Sequence, residues 1–537
     1  MNIPVLIYVL GQVCKIEAAL MLLPVVCALC YREYPVAGVY LIVSAICLVI
    51  GLIMTARKPK YNKIRTREGM AATGLSWILM SILGCLPFIL LGEIPNFIDA
   101  FFETVSGFTT TGSTIIQDLD AISYGSRFWR SFTHWIGGMG VLVFLIALLP
   151  GTSGSFMNLM IAESPGPEVS KLVPKVRDSA KMLYQMYIAL TLIEIILLLM
   201  AGMPLFDSLT LSFGTAGTGG FAVRSSGFAD YSILQQGIIA VFMMLFGINF
   251  GFYFLILSGK WKKALHMEEV ITYLGIIVSV VTIITISVRS LFPNLFLTIH
   301  NVFFTVSSII TTTGYATVDF NLWTPLAKTL LVLIMFIGAC AGSTGGGIKV
   351  SRINVMFKGI RKEFRTLLHP GLVAKVRMDD EPIAHETVRS INVFLSIYVV
   401  LCGCFRLLSA ADHFGWQRSG HQLHCGDRHF EQHRTWSGRS RSDEHVRVVL
   451  SLFQTGLLVC DAGRSSGTAA DLAFVCGADV EGQCQDQSQA VRKSGKQEYE
   501  EQSLNGFRLL IRKLSGLLIK ISGLFSARDS DCAGQES

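Results

Sequence analysis

Apolar runs of roughly bilayer-crossing length recur along this chain, over about residues 4–30, 37–55, 72–92, 128–150, 184–203, 235–258, 269–288, 326–348 and 389–403. A helix needs roughly 20 apolar residues to cross the hydrocarbon of a membrane, and backbone left unpaired there is costly. Continuous rather than alternating runs therefore point to an all-α membrane protein. Composition excludes a set of soluble domains, with 51% hydrophobic and only 15% charged residues among 537 and a mean hydropathy of +0.53. The first run is too long for a signal-peptide core, and no cleavage motif of small residues follows it, so a retained span is expected.

Basic residues set the expected orientation. Arg57, Lys58, Lys60, Lys63, Arg65 and Arg67 crowd one loop, and Lys171, Lys175, Arg177 and Lys181 a second. Lys260, Lys262 and Lys263 mark a third; Lys349, Arg352, Lys358, Arg361, Lys362 and Arg365 mark a fourth. These alternate with acidic or neutral loops holding Glu93, Asp99, Glu103 and Asp207, which puts the basic loops and the N-terminus in the cytoplasm. The net charge of +7 is accounted for by those loops and their contact with anionic lipid headgroups, so no nucleic acid is expected as a partner. The thirteen cysteines lie mostly in apolar runs or in the anomalous tail, and no disulfides are expected.

Three segments between spans are too short to cross and too apolar for free loops. The first runs Phe101-Phe102-Glu103-Thr104-Val105-Ser106-Gly107-Phe108-Thr109-Thr110-Thr111-Gly112-Ser113, and the third runs Val302-Phe303-Phe304-Thr305-Val306-Ser307-Ser308-Ile309-Ile310-Thr311-Thr312-Thr313-Gly314-Tyr315. The second, Asp207 to Phe221, is looser and carries Gly217-Thr218-Gly219. Gly112, Gly219 and Gly314 recur at about 100-residue intervals, so the unit reads as helix, half-helix, Thr/Gly loop, helix, and its period calls for a fourth copy near 410–440. Irregular backbone at membrane depth persists only where it lines a cavity or is buried in protein. Backbone carbonyls can replace the hydration shell of a potassium ion without the grip of a carboxylate. Glycine permits the backbone that turns them inward, and threonine hydroxyls can brace the loop from behind. Half-helices ending at such loops point their negative ends at the cavity and favour a cation.

These residues resemble the Trk/Ktr/HKT superfamily of potassium transporters, and within it the TrkH-like branch, which carries two extra N-terminal spans. The resemblance covers roughly residues 1–403. It implies a pseudo-fourfold repeat of helix–pore loop–helix units, with potassium as the transported ion, no covalent cofactor and no enzymatic activity. The filter roles fall to Thr110, Thr111 and Gly112; to Gly217, Thr218 and Gly219; and to Thr312, Thr313 and Gly314. A second mark is Gly338-Ala339-Cys340-Ala341-Gly342-Ser343-Thr344-Gly345-Gly346-Gly347-Ile348-Lys349, too rich in glycine for a regular helix. In this family the segment is similar to the intramembrane gating loop, which assigns that role to Gly338, Ala341, Gly342, Ser343, Thr344, Gly345, Gly346, Gly347 and Lys349, the lysine standing where the cytoplasm begins. A phosphate-binding loop is disfavoured because no Gly-Lys-Ser/Thr follows, while helix packing through small residues is the plainer rival. The resemblance further implies a bacterial inner-membrane location, a homodimer and a cytosolic nucleotide-binding regulatory subunit, TrkA-like, docked on the basic face.

The expected organisation is 1–67, two spans and a basic cytoplasmic loop; 68–180, 181–266 and 267–380, three repeats, the third with the gating loop; 381–403, the first helix of the fourth. Residues 404–537 break the pattern, so the fourth repeat reads as disrupted. His413, His421, His424, His429, His433 and His445 interleave with Arg418, Arg428, Arg434, Arg439 and Arg441 where a fourth loop belongs, and such charge does not replace a span in the bilayer. Their spacing with Cys425 matches no zinc pattern. Reading the codons permitted for Phe430 to Ser437 one nucleotide later allows Leu-Asn-Asn-Ile-Gly-Pro-Gly-Leu, similar to the family's fourth loop; the same shift over Asp461 to Ser465 allows Met-Leu-Ala-Gly-Arg. A frameshift between about Cys402 and Asp412 is the expectation, with residues beyond about 485 read past the ordinary stop. That tail suits disorder, with 503–525 able to form a basic amphipathic helix. The alternatives are a non-conducting pseudogene product or membrane scaffold, a secondary transporter of another solute, which would want polar pocket residues at its helix breaks, and a membrane enzyme, for which no nucleophile–base pair is visible.

Overall fold

The apolar runs become helices because each then pairs its own backbone away from water. A computed structural model describes residues 2–57, 59, 66–140, 176–224, 227–228, 230–369, 375–379 and 381–400, side chains at 66–67, 70 and 176–179 excepted. These residues all belong to one unit of the chain, Met1–Asp471, while a second, Leu472–Ser537, lies outside the described residues. Also outside them are the expected fourth loop, the His/Arg-rich stretch and the frame change. The same holds for Lys58, Lys60, Lys63, Arg65, Lys171 and Lys175, and for the fourth apolar run beyond Gly140.

In order, the helices are α1 (Ile3–Leu20), α2 (Leu22–Cys30), α3 (Tyr34–Thr55), α4 (Thr66–Gly84), α5 (Leu86–Leu90), α6 (Phe97–Phe108), α7 (Tyr124–Met139) and α8 (Val176–Met200). There follow α9 (Leu205–Ala216), α10 (Ile233–Phe246), α11 (Phe250–Leu257), α12 (Trp261–Leu265), α13 (Glu268–Val288), α14 (Leu295–Ile310), α15 (Pro325–Ile337) and α16 (Val350–Leu368). Residues 385–400 are also helical. Among the described residues the only sheet is a two-stranded hairpin, Arg377–Met378 paired with Glu381–Pro382. Five stretches are long and apolar enough to span: Ile3–Cys30, Tyr34–Thr55, Ala71–Leu90, Ala180–Met200 and Glu268–Leu291. The pair α10 and α11 makes a sixth only as a span bent by 90°.

Among the described residues, the sixth run is a broken helix rather than a straight one, and the eighth is interrupted at its glycine-rich segment. The sixth turns at Gly247–Asn249, where Asn249 caps α11 by accepting from the Gly251 amide at 2.8 Å. The eighth ends at Gly338, whose φ of +74° a helix cannot hold. Starts are set by ordinary capping chemistry: Asn96 accepts from Ile98, Ser123 from Ser126, and Thr324, just before Pro325, from Ala327. Ser232 and Gln235 form a reciprocal capping box on α10.

Leu41, Ile53, Met200, Val278 and Ile286 are exposed on the long helices, as lipid-facing residues are. With hydrocarbon on the outside, close approach and interhelical hydrogen bonds rather than water expulsion hold helices together. Gly11 and Gly51 bring α1 and α3 together: a Cβ on Gly51 would come within 2.8 Å of the Gly11 carbonyl. The Trp129 indole on α7 donates to the Gly84 carbonyl at the end of α4 at 3.0 Å, and Tyr40 donates to Ser126 at 3.2 Å. The tryptophan and tyrosine bonds hold α7 against the first three spans; Tyr187, Phe246 and Phe250 cluster with Ala216 of α9, and Tyr273 and Ile277 with Val302 of α14.

Candidate functional site

Three short helices, α6, α9 and α14, each stop at a residue followed by a threonine in the left-handed region: Thr110 (φ +54°), Thr218 (+51°) and Thr312 (+60°). β-Branched residues rarely adopt that conformation. The backbone around each is the same. The amides of Thr110, Thr218 and Thr312 donate to Gly107, Thr215 and Ile309, and the next amides, of Thr111, Gly219 and Thr313, donate to Ser106, Gly214 and Ser308. A glycine with positive φ closes each turn: Gly112 (+75°), Gly220 (+76°) and Gly314 (+83°).

That equivalence shifts the register of the second segment by one residue. The sequence pairs Gly219 with Gly112 and Gly314, whereas the structure gives that place to Gly220 and sets Gly219 where Thr111 and Thr313 stand. Gly217 occupies the helix-ending place of Thr109 and Thr311. The cause is His134, buried on α7. Cβ atoms on Gly217 or Gly219 would overlap its carbonyl or its ring, so the second segment has no room for the side chains of the others. The His134 ring stacks on Phe221 with centroids 4.1 Å apart.

The threonines that remain brace their loops. Thr109 and Thr111 hydroxyls lie 2.8 Å apart, as do those of Thr311 and Thr313, and Thr109 and Thr311 also reach back to Val105 and Ser307 carbonyls. Ser106 donates to the Ser113 carbonyl and Ser308 to the Tyr315 carbonyl, each at 2.6 Å. In the second segment Gly214 stands in the serine's place, and the Tyr315 hydroxyl occupies the vacated space. It donates to the Leu211 and Phe221 carbonyls at 3.3 and 3.5 Å, and a Cβ on Gly214 would overlap it. The third segment thus supplies a hydroxyl that the second lacks.

Buried polar ties hold the outgoing limbs. Glu103 accepts from Arg130 Nε (2.6 Å), the Thr114 hydroxyl (2.9 Å) and the Ile115 amide (3.1 Å). Asp207 accepts from Arg224 (2.6 Å) and Tyr231 (3.2 Å), and Asn301 from Thr317 (3.1 Å). Arg130 also lies over the Phe221 ring, 3.9 Å from its centroid, joining first and second segments.

The glycine-rich segment after α15 folds back on itself. The Ala339 amide donates to Gly346, Ile348 to Phe336 and Lys349 to Ile337, and Gly338 packs so closely on Gly346 and Gly347 that a side chain there would overlap backbone. Its outer contacts fill the break between α10 and α11: the Cys340 amide donates to Gly247, the Phe250 amide to Gly342, and the Thr344 hydroxyl to Phe246. Glu269 on α13, 2% exposed, accepts from the amides of Ala341 (2.6 Å) and Ser351 (3.1 Å), fixing both ends of the loop. Two contacts reach the Thr-Gly segments: Thr218 donates to the Thr344 carbonyl at 3.0 Å, and the Gly346 amide donates to the Thr312 hydroxyl at 2.8 Å. Among the described residues no hydrogen bond joins Thr110, Thr111 or Gly112 to this loop.

Lys349 closes the segment. It is buried, with Nζ donating to the Gly345 carbonyl, because an ammonium among freed loop carbonyls finds a partner inside the fold. The sequence reading overlooked Gly220, His134, Tyr315 and Glu269. The doublet Gly219-Gly220 was the signal for the first; an acid opening a span reads as an ordinary first-turn residue, which hides Glu269.

A family model described as TrkH, cation transport protein, matches residues 39–298 and 270–414. The Trk system potassium uptake protein TrkH of Salmonella typhimurium is 34% identical over 402 residues, covering 73% of this chain and 83% of that protein. The Trk system potassium uptake protein TrkG of Escherichia coli is 31% identical over 417 residues, 76% of this chain and 85% of that protein. The crystal structure of the potassium transporter TrkH from Vibrio parahaemolyticus superposes with a TM-score of 0.70 at 25% identity, covering 88% of this chain and 99% of that one.

Proposed function

The chain belongs to the TrkH family of cation transport proteins, and we propose that it is the membrane subunit of a potassium uptake system, passing the ion along the three Thr-Gly segments. The observation that carries the reading is the shared backbone of those segments, each at the end of a short helix and each closed by a left-handed threonine and glycine. Carbonyls in such a turn supply several weak oxygen ligands, which a permeating ion can exchange for water at either end. The helices end at these loops, so their partial negative charge favours a cation. The membrane potential, worth about 2.3 kcal/mol per charge per 100 mV, supplies the drive for uptake.

In this reading Thr110, Thr111 and Gly112, Gly217 to Gly220, and Thr312, Thr313 and Gly314 form three sides of the filter, and the Gly338 to Lys349 loop is the gate. A homodimer in the bacterial inner membrane, its N-terminus and basic loops cytoplasmic, meets a nucleotide-binding regulatory subunit there. The fourth side belongs to sequence read out of frame after about Cys402, so the chain as written lacks part of the coordination ring. The rival, a non-conducting product, draws its support from that stretch.

The test is rubidium uptake in cells deprived of their own potassium transporters. A version with the frame restored near codons 402–412 is expected to support uptake that potassium competes away and sodium does not, and the chain as written to support little. Strong uptake by the chain as written removes the frameshift account. None from the repaired version removes the transport reading.

A further inference from the structure

We propose that Thr218 and Thr312 latch the glycine-rich loop shut, so that the tip Ser343–Gly346 is a lid released from the Thr-Gly segments while its ends stay anchored on Glu269. The proposal rests on the ion-path reading above and adds to it how the loop is held.

The argument starts from a conformational oddity. Glycine would take a φ near +55° without strain, yet both positions carry a β-branched residue. In both, the hydroxyl reaches the loop: Thr218 to the Thr344 carbonyl, Thr312 from the Gly346 amide. Thr110, in the same backbone conformation, has no such bond to the loop. The turn conformation is thus common to all three, and the hydroxyl contact with the loop is what sets the second and third positions apart.

The two latches differ in strength. The Thr312 hydroxyl donates to the Thr311 carbonyl at 2.6 Å and accepts from Gly346 at 2.8 Å, so both of its capacities are used and each bond polarises the other. Thr218 has a single hydroxyl proton for two acceptors, its neighbour Gly217 (2.8 Å) and Thr344 (3.0 Å), so its hold on the loop is shared.

The hinges are also present. Gly342 and Gly347, at φ +66° and +85°, bracket the tip, and beyond them Ala341 and Ser351 are tied to Glu269. The other side-chain tie from the tip to a neighbouring helix is the Thr344 hydroxyl on the Phe246 carbonyl at 3.2 Å. Breaking the threonine bonds uncouples this four-residue tip from the Thr-Gly segments, while the ties of Gly346 to Ala339, of Gly345 to Lys349 and of Thr344 to Phe246 keep its supports folded.

Hydrogen–deuterium exchange on the full chain in lipid nanodiscs reads the lid directly. Thr312→Val keeps the shape and removes the hydroxyl, and is expected to speed exchange in peptides covering Ser343–Gly347 by about three- to tenfold, the effect of one lost hydrogen bond. Thr218→Val speeds it less, Thr312→Ser restores the slow rate, and Thr110→Val leaves it unchanged. Unaltered exchange across α13 marks a folded sample. Exchange in Thr312→Val no faster than in the parent chain overturns the latch, as does equal acceleration by Thr110→Val. The frame-restored chain and its Thr312→Val variant, compared in potassium and sodium, test the ion-path reading separately. Potassium-specific protection of residues 109–112 with no effect of Thr312→Val defeats the latch alone. Acceleration without any potassium-specific protection supports the latch and defeats the ion path.

Discussion

The Tyr315 hydroxyl replaces a serine that another segment lacks. Ser106 and Ser308 each fasten the carbonyl seven residues ahead, Gly214 has nothing to do so with, and Tyr315 reaches across to the equivalent carbonyl of Phe221. Tyr315→Phe is expected to lower stability by about 0.5–1.5 kcal/mol, the net value of one buried hydrogen bond. Gly214→Ser alone adds a side chain where the hydroxyl sits, and destabilises further through overlap. Combined with Tyr315→Phe, the new serine gains both room and an acceptor, so the double variant is more stable than the two single effects added together. Thermal unfolding of the four proteins in detergent checks this; simple additivity refutes the substitution of one hydroxyl for the other. At this scale the sequence displays its chemistry well where neighbours along the chain decide it. Thr-Thr-Gly announces its turn. Gly219 takes Gly220's place in the sequence pattern because the doublet offers two glycines, and only His134, far away on α7, decides which of them stands where the other segments carry threonine.

Among the elements, the bent pair α10 and α11 and the loop after α15 depend on each other. The apolar run 235–258 reads as a single straight span, since Gly247 and Asn249 interrupt its hydrophobicity only briefly. The bend exists because the loop's Cys340 amide takes the Gly247 carbonyl and its Gly342 carbonyl takes the Phe250 amide. Glu269 completes the set by holding two loop amides. Glu269→Ala leaves the amides of Ala341 and Ser351 buried without an acceptor, at about 1–3 kcal/mol for each unsatisfied group. Glu269→Gln retains one oxygen and is expected to lose much less. Melting temperatures of the two variants decide the matter: equal losses mean that the carboxylate's charge, rather than its acceptor role, holds the loop. Helix existence was legible here from hydrophobic length and Gly content; the partners that make a break stable come from sequence about 90 residues further on.

For the molecule as a whole, the proposed ion path along three Thr-Gly segments of one backbone design implies that damage to one alters the ion's surroundings without removing the others. In the frame-repaired chain, Gly112→Ser and Gly314→Ser put side chains where φ is +75° and +83°. Each is expected to weaken discrimination of potassium from sodium several-fold while leaving uptake measurable, through strain on the turn that carries the carbonyls. Competition of sodium against rubidium uptake measures it, and unchanged discrimination in both variants removes these loops from the selectivity path. The recurrence of the Thr-Gly turn was readable because its chemistry repeats within one chain. The asymmetry was not: Glu103 and Arg130 serve the first segment, Asp207 and Arg224 the second, and a neutral Asn301 with Thr317 the third.

The mutual support of the bend and the loop also bears on how the protein is made. Gly247 and Phe250 leave the ribosome long before Cys340 and Gly342, so until the later span is inserted the elbow has a carbonyl and an amide awaiting their mates. The bent pair α10 and α11 cannot complete its fold by itself. Assembly in the bilayer must keep that elbow in a wet or sheltered place until the loop after α15 arrives, which makes the order of synthesis part of the structure's own stability.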